Sequence, residues 1–145
     1  MKILVLNGPN LNMLGIREPD IYGRRTYADL EAYIHESARA LGVETEIFQS
    51  NYEGELVTRI QQAYGKFDGI VINAAAYTHT SVAILDALKA VGLPTVEVHL
   101  SDIHQRESFR HLSYVSMVAQ EMVCGLGFEG YRKALRLLCQ MDKNR

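Results

Sequence analysis

The sequence predicts an α/β fold, a five-stranded parallel sheet covered on both faces by helices. Three observations carry that reading. Short continuous apolar runs, such as Ile3-Leu4-Val5-Leu6 and the run GIVIN at residues 69–73, have the character of strands buried on both faces. Between them lie segments with apolar residues at helical spacing. The two kinds of segment alternate along the chain, with no linker, repeat or low-complexity tract.

The first strand, Ile3 to Leu6, runs into a stretch from Asn7 to Gly23 (NGPNLNMLGIREPDIYG) that has neither periodicity. Pro9, Pro19, Gly8, Gly15 and Gly23 force repeated turns there. The stretch also holds Asn7, Asn10, Asn12, Arg17, Glu18 and Tyr22, more polar chemistry than a plain connection needs. Its turns and polar contents suggest an Ω-like lid, against the blander reading of a solvated loop.

Thr26 begins the first helix and can cap it, with Asp29 three residues on. Tyr27, Leu30, Ile34, Ala38 and Leu41 keep its period, and Gly42 stops it. Val43 to Ser50 is the second strand, and its Glu44 and Glu46 suit a sheet edge. The segment 51–64 holds a second helix with Leu56, Ile60 and Ala63 inward. Gly69 to Asn73 is the third strand, and Thr80 to Val91 is a helix ended by Gly92 and Pro94. Thr95 to Ser101 is a fourth strand, with Val96, Val98 and Leu100 on one face and Glu97, His99 and Ser101 on the other. A polar connection, Asp102 to Tyr114, precedes a short fifth strand, Glu121 to Cys124. The final helix, Phe128 to Cys139, turns Phe128, Tyr131, Leu135 and Leu138 inward. A flavodoxin-like three-layer sandwich of strand order 2-1-3-4-5 places the charged second strand at an edge.

Composition narrows the function. The 145 residues suffice for one domain, 1–145, with a sizeable core. The formal net charge of −2 comes with no basic run, so neither nucleic acid nor a membrane surface is indicated as a partner. Cys124 and Cys139 are too few and too unpatterned for a disulfide framework or a zinc motif. Only four apolar residues follow Lys2 before Asn7, too few for a signal or a span, so the expected location is cytoplasmic.

Ligands of such sheets bind beyond the carboxyl ends of the strands. There the first strand delivers Asn7 and Asn10, the third Asn73 and the following AAAYTH up to His79, the fourth Glu97, His99 and Ser101. A lone buried histidine is most often a satisfied core residue. Glu97 beside His99 changes that, because a carboxylate fixes the tautomer and favours the imidazolium of a general acid.

Exclusions narrow the chemistry further. No G-x-x-x-x-G-K-[ST], G-x-S-x-G or H-E-x-x-H pattern occurs. The GLGFEG run at 125–130 matches G-x-G-x-x-G, but no strand follows to supply an acidic ribose ligand, so it reads as strand–helix packing. Proton chemistry without metal or cofactor remains. Tyr22 is the candidate base: a free phenol has a pKa near ~10. A guanidinium lowers such a value by about 1–3 units. Arg17 lies in the same loop, and Arg106 or Arg110 could approach from the connection after the fourth strand. Asn10 or a water could stabilise an enolate oxygen while His99 protonates a leaving hydroxyl.

NGPNLNMLGIREPDIYG, NAAAYTHTS, EVHLSDIHQRESFR and GLGFEGY, in this order and spacing over nearly the whole chain, resemble the type II dehydroquinases (type II 3-dehydroquinate dehydratases). The resemblance implies a flavodoxin-like, cofactor-free enzyme that dehydrates 3-dehydroquinate to 3-dehydroshikimate by anti elimination. It implies Tyr22 as the base, Arg17 as the residue keeping it anionic, and Asn10 as a holder of the enolate's water. It implies His99, oriented by Glu97, as the acid. Asn73, with Leu100 and Ser101 and nearby amides, would hold the carboxylate; His79 and Arg110 would bind ring hydroxyls; Arg106 would be a second loop arginine. Asp86 would reach a neighbouring subunit's site in a dodecamer of four trimers.

Three positions depart from the family's pattern: Ala74 and Met117 replace usual prolines, and Asp102 replaces a usual asparagine. Ala74 is expected to loosen the hold on Asn73, and Asp102 to place an anion beside the carboxylate pocket unless it turns away or is paired. Two other classes stand beside the lyase reading: a nucleotide- or flavin-binding module on the same fold, and a noncatalytic scaffold.

Overall fold

The computed structural model describes residues 1–16, 20 and 23–144. Its core is a parallel sheet of five strands: β1 (Lys2–Asn7), β2 (Glu44–Gln49), β3 (Gly69–Asn73), β4 (Thr95–His99) and β5 (Glu121–Cys124). The order is β2-β1-β3-β4-β5, the flavodoxin-like arrangement expected from the alternation of elements. Helices α1 (Tyr27–Leu41) and α4 (Glu129–Lys143) cover one face. Helices α2 (Glu53–Ala63) and α3 (Val82–Val91) cover the other.

The two faces follow from the period of a strand. Ile3 and Val5 of β1 join Val71, Val96 and Val98 against Leu30 and Ile34 of α1 and Leu135 and Leu138 of α4. Leu4 and Leu6 join Ile70 and Ile72 against Leu56 and Ile60 of α2 and Ile84 and Leu88 of α3. Burying each such side chain is worth about 1.5–3 kcal/mol, so loss of one layer would leave the sheet without support. Edge strand β2 carries Glu44 and Glu46 as expected. Glu46 is tied to Arg59 of α2 and lies 3.9 Å from the Lys2 ammonium.

Several boundaries differ from those the sequence suggested. The third helix begins at Val82, not Thr80, because residues 75–79 form a 3₁₀ turn and the Ser81 side chain caps the helix at the Ile84 amide, 2.9 Å away. Strand β4 ends at His99, so Leu100 and Ser101 belong to the segment that leaves it. Helix α4 runs to Lys143, beyond Cys139. The polar connection after β4 folds into two short 3₁₀ turns, Ile103–Gln105 and Ser108–Arg110. The Thr26–Asp29 capping box is formed in both directions, and Gly42 ends α1 in the left-handed region.

The G-x-G-x-x-G run is a packing device, as its position suggested. Gly130 opens α4 against the sheet, where a Cβ would stand 3.3 Å from Val98 Cγ1.

Candidate active site

A cleft with about 530 Å³ of space free of protein atoms opens at the carboxyl ends of β1, β3 and β4. Asn10, Asn73, His79, His99, Leu100, Ser101, Arg106 and Arg110 all line it, so the residues singled out along the sequence are brought to one place. Glu97 lies fully buried beneath it. Arg17 and Tyr22 lie outside the described residues, as do Glu18, Pro19 and Ile21 of the expected lid. Asp86 is exposed in the second turn of α3 and does not line this cleft.

The β1 side of the cleft depends on a close backbone approach. The Gly8 amide donates to the Asn73 carbonyl at 2.8 Å, and a Cβ at Gly8 would lie 2.3 Å from the Ala74 carbonyl oxygen. No side chain fits there, so glycine is required to bring the two loops together. Asn10 follows in the left-handed region, φ 71°, its amide held by the Asn51 side chain at 3.0 Å.

The β3 side rests on a buried polar chain. The Tyr131 hydroxyl, from α4, donates to Asn7 Oδ1 at 2.6 Å and accepts from Asn73 Nδ2 at 3.0 Å. Asn73 Oδ1 in turn accepts from the Ala75 amide at 3.1 Å, supporting Ala75 at φ 53°. Asn7 Nδ2 extends the chain to Tyr27 of α1. Burial raises the Tyr131 pKa well above that of a free phenol, although the Asn73 bond opposes this. With Ala74 in place of a proline, Asn73 is held through its side chain by Tyr131 and the Ala75 amide.

The β4 side is the most heavily hydrogen-bonded. His99 Nε2 bonds one oxygen of Glu97, which also accepts from Ser113 at 2.5 Å and lies 3.3 Å from the Thr78 hydroxyl. Ser116 bonds the other oxygen. Burial pushes the Glu97 pKa up, but the His99 bond, the imidazole's charge and the serine hydroxyls outweigh it and hold it below the usual carboxylate range. Glu97 is therefore an anion, and its His99 contact fixes the proton on Nε2. Sequence reasoning missed Thr78, Ser113 and Ser116, as well as the linking role of the Tyr131 hydroxyl.

The remaining groups suit a polar, anionic ligand. His79 Nδ1 lies 2.7 Å from the Leu112 carbonyl, so it donates and Nε2 is left as an acceptor. Burial, more than the opposing carbonyl bond, lowers the His79 pKa and favours that neutral ring. Arg106 reaches the Ser101 hydroxyl at 3.4 Å, and Arg110 Nε bonds Glu107 at 2.6 Å. Asp102 turns away from the cleft, toward His104 and Cys124, so the anion expected beside the carboxylate pocket is not placed there. Among the described residues, no buried side-chain nitrogen or oxygen lacks a partner.

The Dehydroquinase class II family model matches residues 1–139 of this chain. The 3-dehydroquinate dehydratase of Geotalea daltonii is 59% identical over 138 residues, covering 95% of this chain and 96% of that protein. The crystal structure of type II dehydroquinase from Butyrivibrio crossotus superposes with a TM-score of 0.94 at 48% identity, covering 96% of this chain and 97% of that one. That of type II dehydroquinase from Propionibacterium acnes gives 0.92 at 46% identity, covering 96% of each.

Proposed function

This chain belongs to the class II dehydroquinase family, and from that premise we propose how it works as a hydro-lyase on 3-dehydroquinate, giving 3-dehydroshikimate by anti elimination. The observation that carries the reading is the Glu97–His99 pair at the floor of a cleft that also holds Arg106, Arg110 and three neutral polar side chains, Asn10, Asn73 and Ser101.

The reaction divides between two faces of the substrate. Tyr22, kept anionic by Arg17, takes the C2 proton, and the electron pair moves toward the C3 carbonyl to give an enolate. A water held by Asn10 stabilises the enolate oxygen. His99, charged beside Glu97, then delivers a proton to the C1 hydroxyl, which leaves as water while the C1–C2 double bond forms. Tyr22 ends protonated and His99 neutral, so transfer of one proton between them resets the site.

Binding uses the rest of the cleft. Asn73, Ser101 and the backbone at Leu100 receive the substrate carboxylate. The His79 Nε2 acceptor and the Arg110 guanidinium take ring hydroxyls. Arg106, beside Ser101, adds positive charge above the carboxylate. Asp86, which does not line its own chain's cleft, would serve the cleft of a neighbouring subunit in a dodecamer of four trimers.

No helix among the described residues is long and apolar enough to cross a membrane, and a cytoplasmic enzyme is the reading we favour. A nucleotide or flavin module is not favoured, since the only glycine pattern that suggested one packs α4 on β4. The direct test is addition of 3-dehydroquinate to the purified protein while following the absorbance of a conjugated enone. Steady growth of that band is expected, and its absence with folded protein would overturn the proposal.

A further inference from the structure

One cluster of side chains takes no part in this chemistry. Asp102, His104 and Cys124 each place one donor atom so that all three lie within 4.8 Å of one another. Asp102 and His104 belong to the segment that leaves β4, and Cys124 is the last residue of β5. Strand register brings them together: Cys124 pairs with His99, and the Gly125 amide donates to the His99 carbonyl at 3.2 Å. Gly125 at φ +79° lets the strand end close on Asp102, whose Cβ would lie 3.4 Å from a Cβ added there. The carboxylate is also fixed, because Asp102 Oδ1 accepts the His104 backbone amide at 2.9 Å.

Two of the three donor separations are close to those of a coordination polyhedron. A tetrahedral zinc ion holds nitrogen and oxygen at about 2.0–2.2 Å and thiolate sulfur at about 2.3 Å, so the N···O and S···O edges are roughly 3.4 and 3.6 Å. His104 Nδ1 lies 3.3 Å, and Cys124 Sγ 3.8 Å, from the same Asp102 oxygen. We propose that Asp102, His104 and Cys124 form a three-ligand site for a zinc-class divalent cation, its fourth position left to water.

The donor set fits that class. Thiolate and imidazole select a borderline-soft ion over magnesium or calcium. Thiolate and carboxylate together neutralise its charge. His104, half-exposed, gives an entry from solvent. On binding, the Cys124 S–H bond breaks, its proton goes to solvent and a sulfur–metal bond forms. Binding therefore releases a proton, and affinity climbs with pH. A bound ion would tie the segment carrying Ser101 and Arg106 to β5.

The test is a titration of the untagged protein with Co²⁺ and then Zn²⁺, read by absorbance and calorimetry, and therefore independent of the dehydratase reading. One Co²⁺ per chain should bring up a thiolate-to-cobalt charge-transfer band that Zn²⁺ displaces, with tighter binding at higher pH. Cys124→Ser should abolish the band, and Asp102→Asn should weaken Zn²⁺ binding at least about tenfold with an unchanged circular dichroism spectrum. No band, a band that survives Cys124→Ser and so belongs to Cys139, or Zn²⁺ binding equal in all three proteins as for an adventitious ion would each overturn the site.

Discussion

At the scale of single residues, Glu97 decides the charge of the cleft's floor. Its folded-state pKa lies below the ordinary value, so it stabilises the fold above the usual carboxylate range and that stability is lost as pH falls through the lower folded value. Denaturant midpoints measured from neutral to acid pH should show this slope in the parent chain and a shallower one in Glu97→Gln. The same variant removes the carboxylate that holds the His99 ring through Nε2, and turnover should fall at least about tenfold. An unchanged rate would mean that the histidine needs no charged partner. Tyr22→Phe, by contrast, should lower kcat at least about a hundredfold with an unfolding midpoint close to that of the parent. Glu97 and His99 were legible because strand alternation puts both on one face. Thr78, Ser113 and Ser116 were not, because a hydroxyl in a polar connection carries no period that shows which carboxylate it will meet.

At the scale of elements, the hydroxyl of Tyr131 joins α4 to the ends of β1 and β3. Tyr131→Phe keeps the ring in the core but strands a buried carbonyl at Asn7 and a buried amide at Asn73. Urea unfolding should show a loss of about 1–3 kcal/mol, the usual cost of leaving such groups unpaired. The raised Tyr131 pKa adds an alkaline signature. The unfolded phenol ionises near pH ~10 while the folded one does not, so the parent loses stability above that pH and the phenylalanine variant lacks this component. At α1, Thr26→Ala removes the side chain that accepts the Asp29 amide, and about 1 kcal/mol should be lost by the same measurement. This capping box could be read directly, since its two partners are three residues apart. The start of α3 could not: Thr80 and Ser81 are both plausible caps, and the 3₁₀ turn at residues 75–79 settles the choice in favour of Ser81.

At the scale of the whole molecule, the sheet order was legible from the alternation of elements and the charge on β2. The meeting of Asp102, His104 and Cys124 was not, because it depends on how β4 and β5 are aligned. Asp86 raises a matter larger than one chain. It is exposed on α3 and does not line the cleft of its own chain, and the proposed shared site can be tested by complementation. Asp86→Ala and Tyr22→Phe chains should each be weakly active alone. When they are refolded together, some clefts receive Tyr22 from one chain and Asp86 from the other, and activity should return. Full activity of Asp86→Ala alone, or no recovery in the mixture, would show that each chain serves itself.

The Tyr131–Asn7 bond spans 124 residues of sequence. During synthesis, β1 leaves the ribosome long before the hydroxyl that steadies its last residue. At about 5–20 residues per second the interval is roughly 6–25 s. Over that time Asn7 lacks its partner, and so does Asn73 from its own synthesis 58 residues before Tyr131. A nascent chain halted before α4 therefore has all five of the sheet's strands but an unfinished β3 side of the cleft. Ribosome-bound chains carrying C-terminal linkers of increasing length should become protected from proteolysis around Asn7 and Asn73 only once Tyr131 has cleared the exit tunnel.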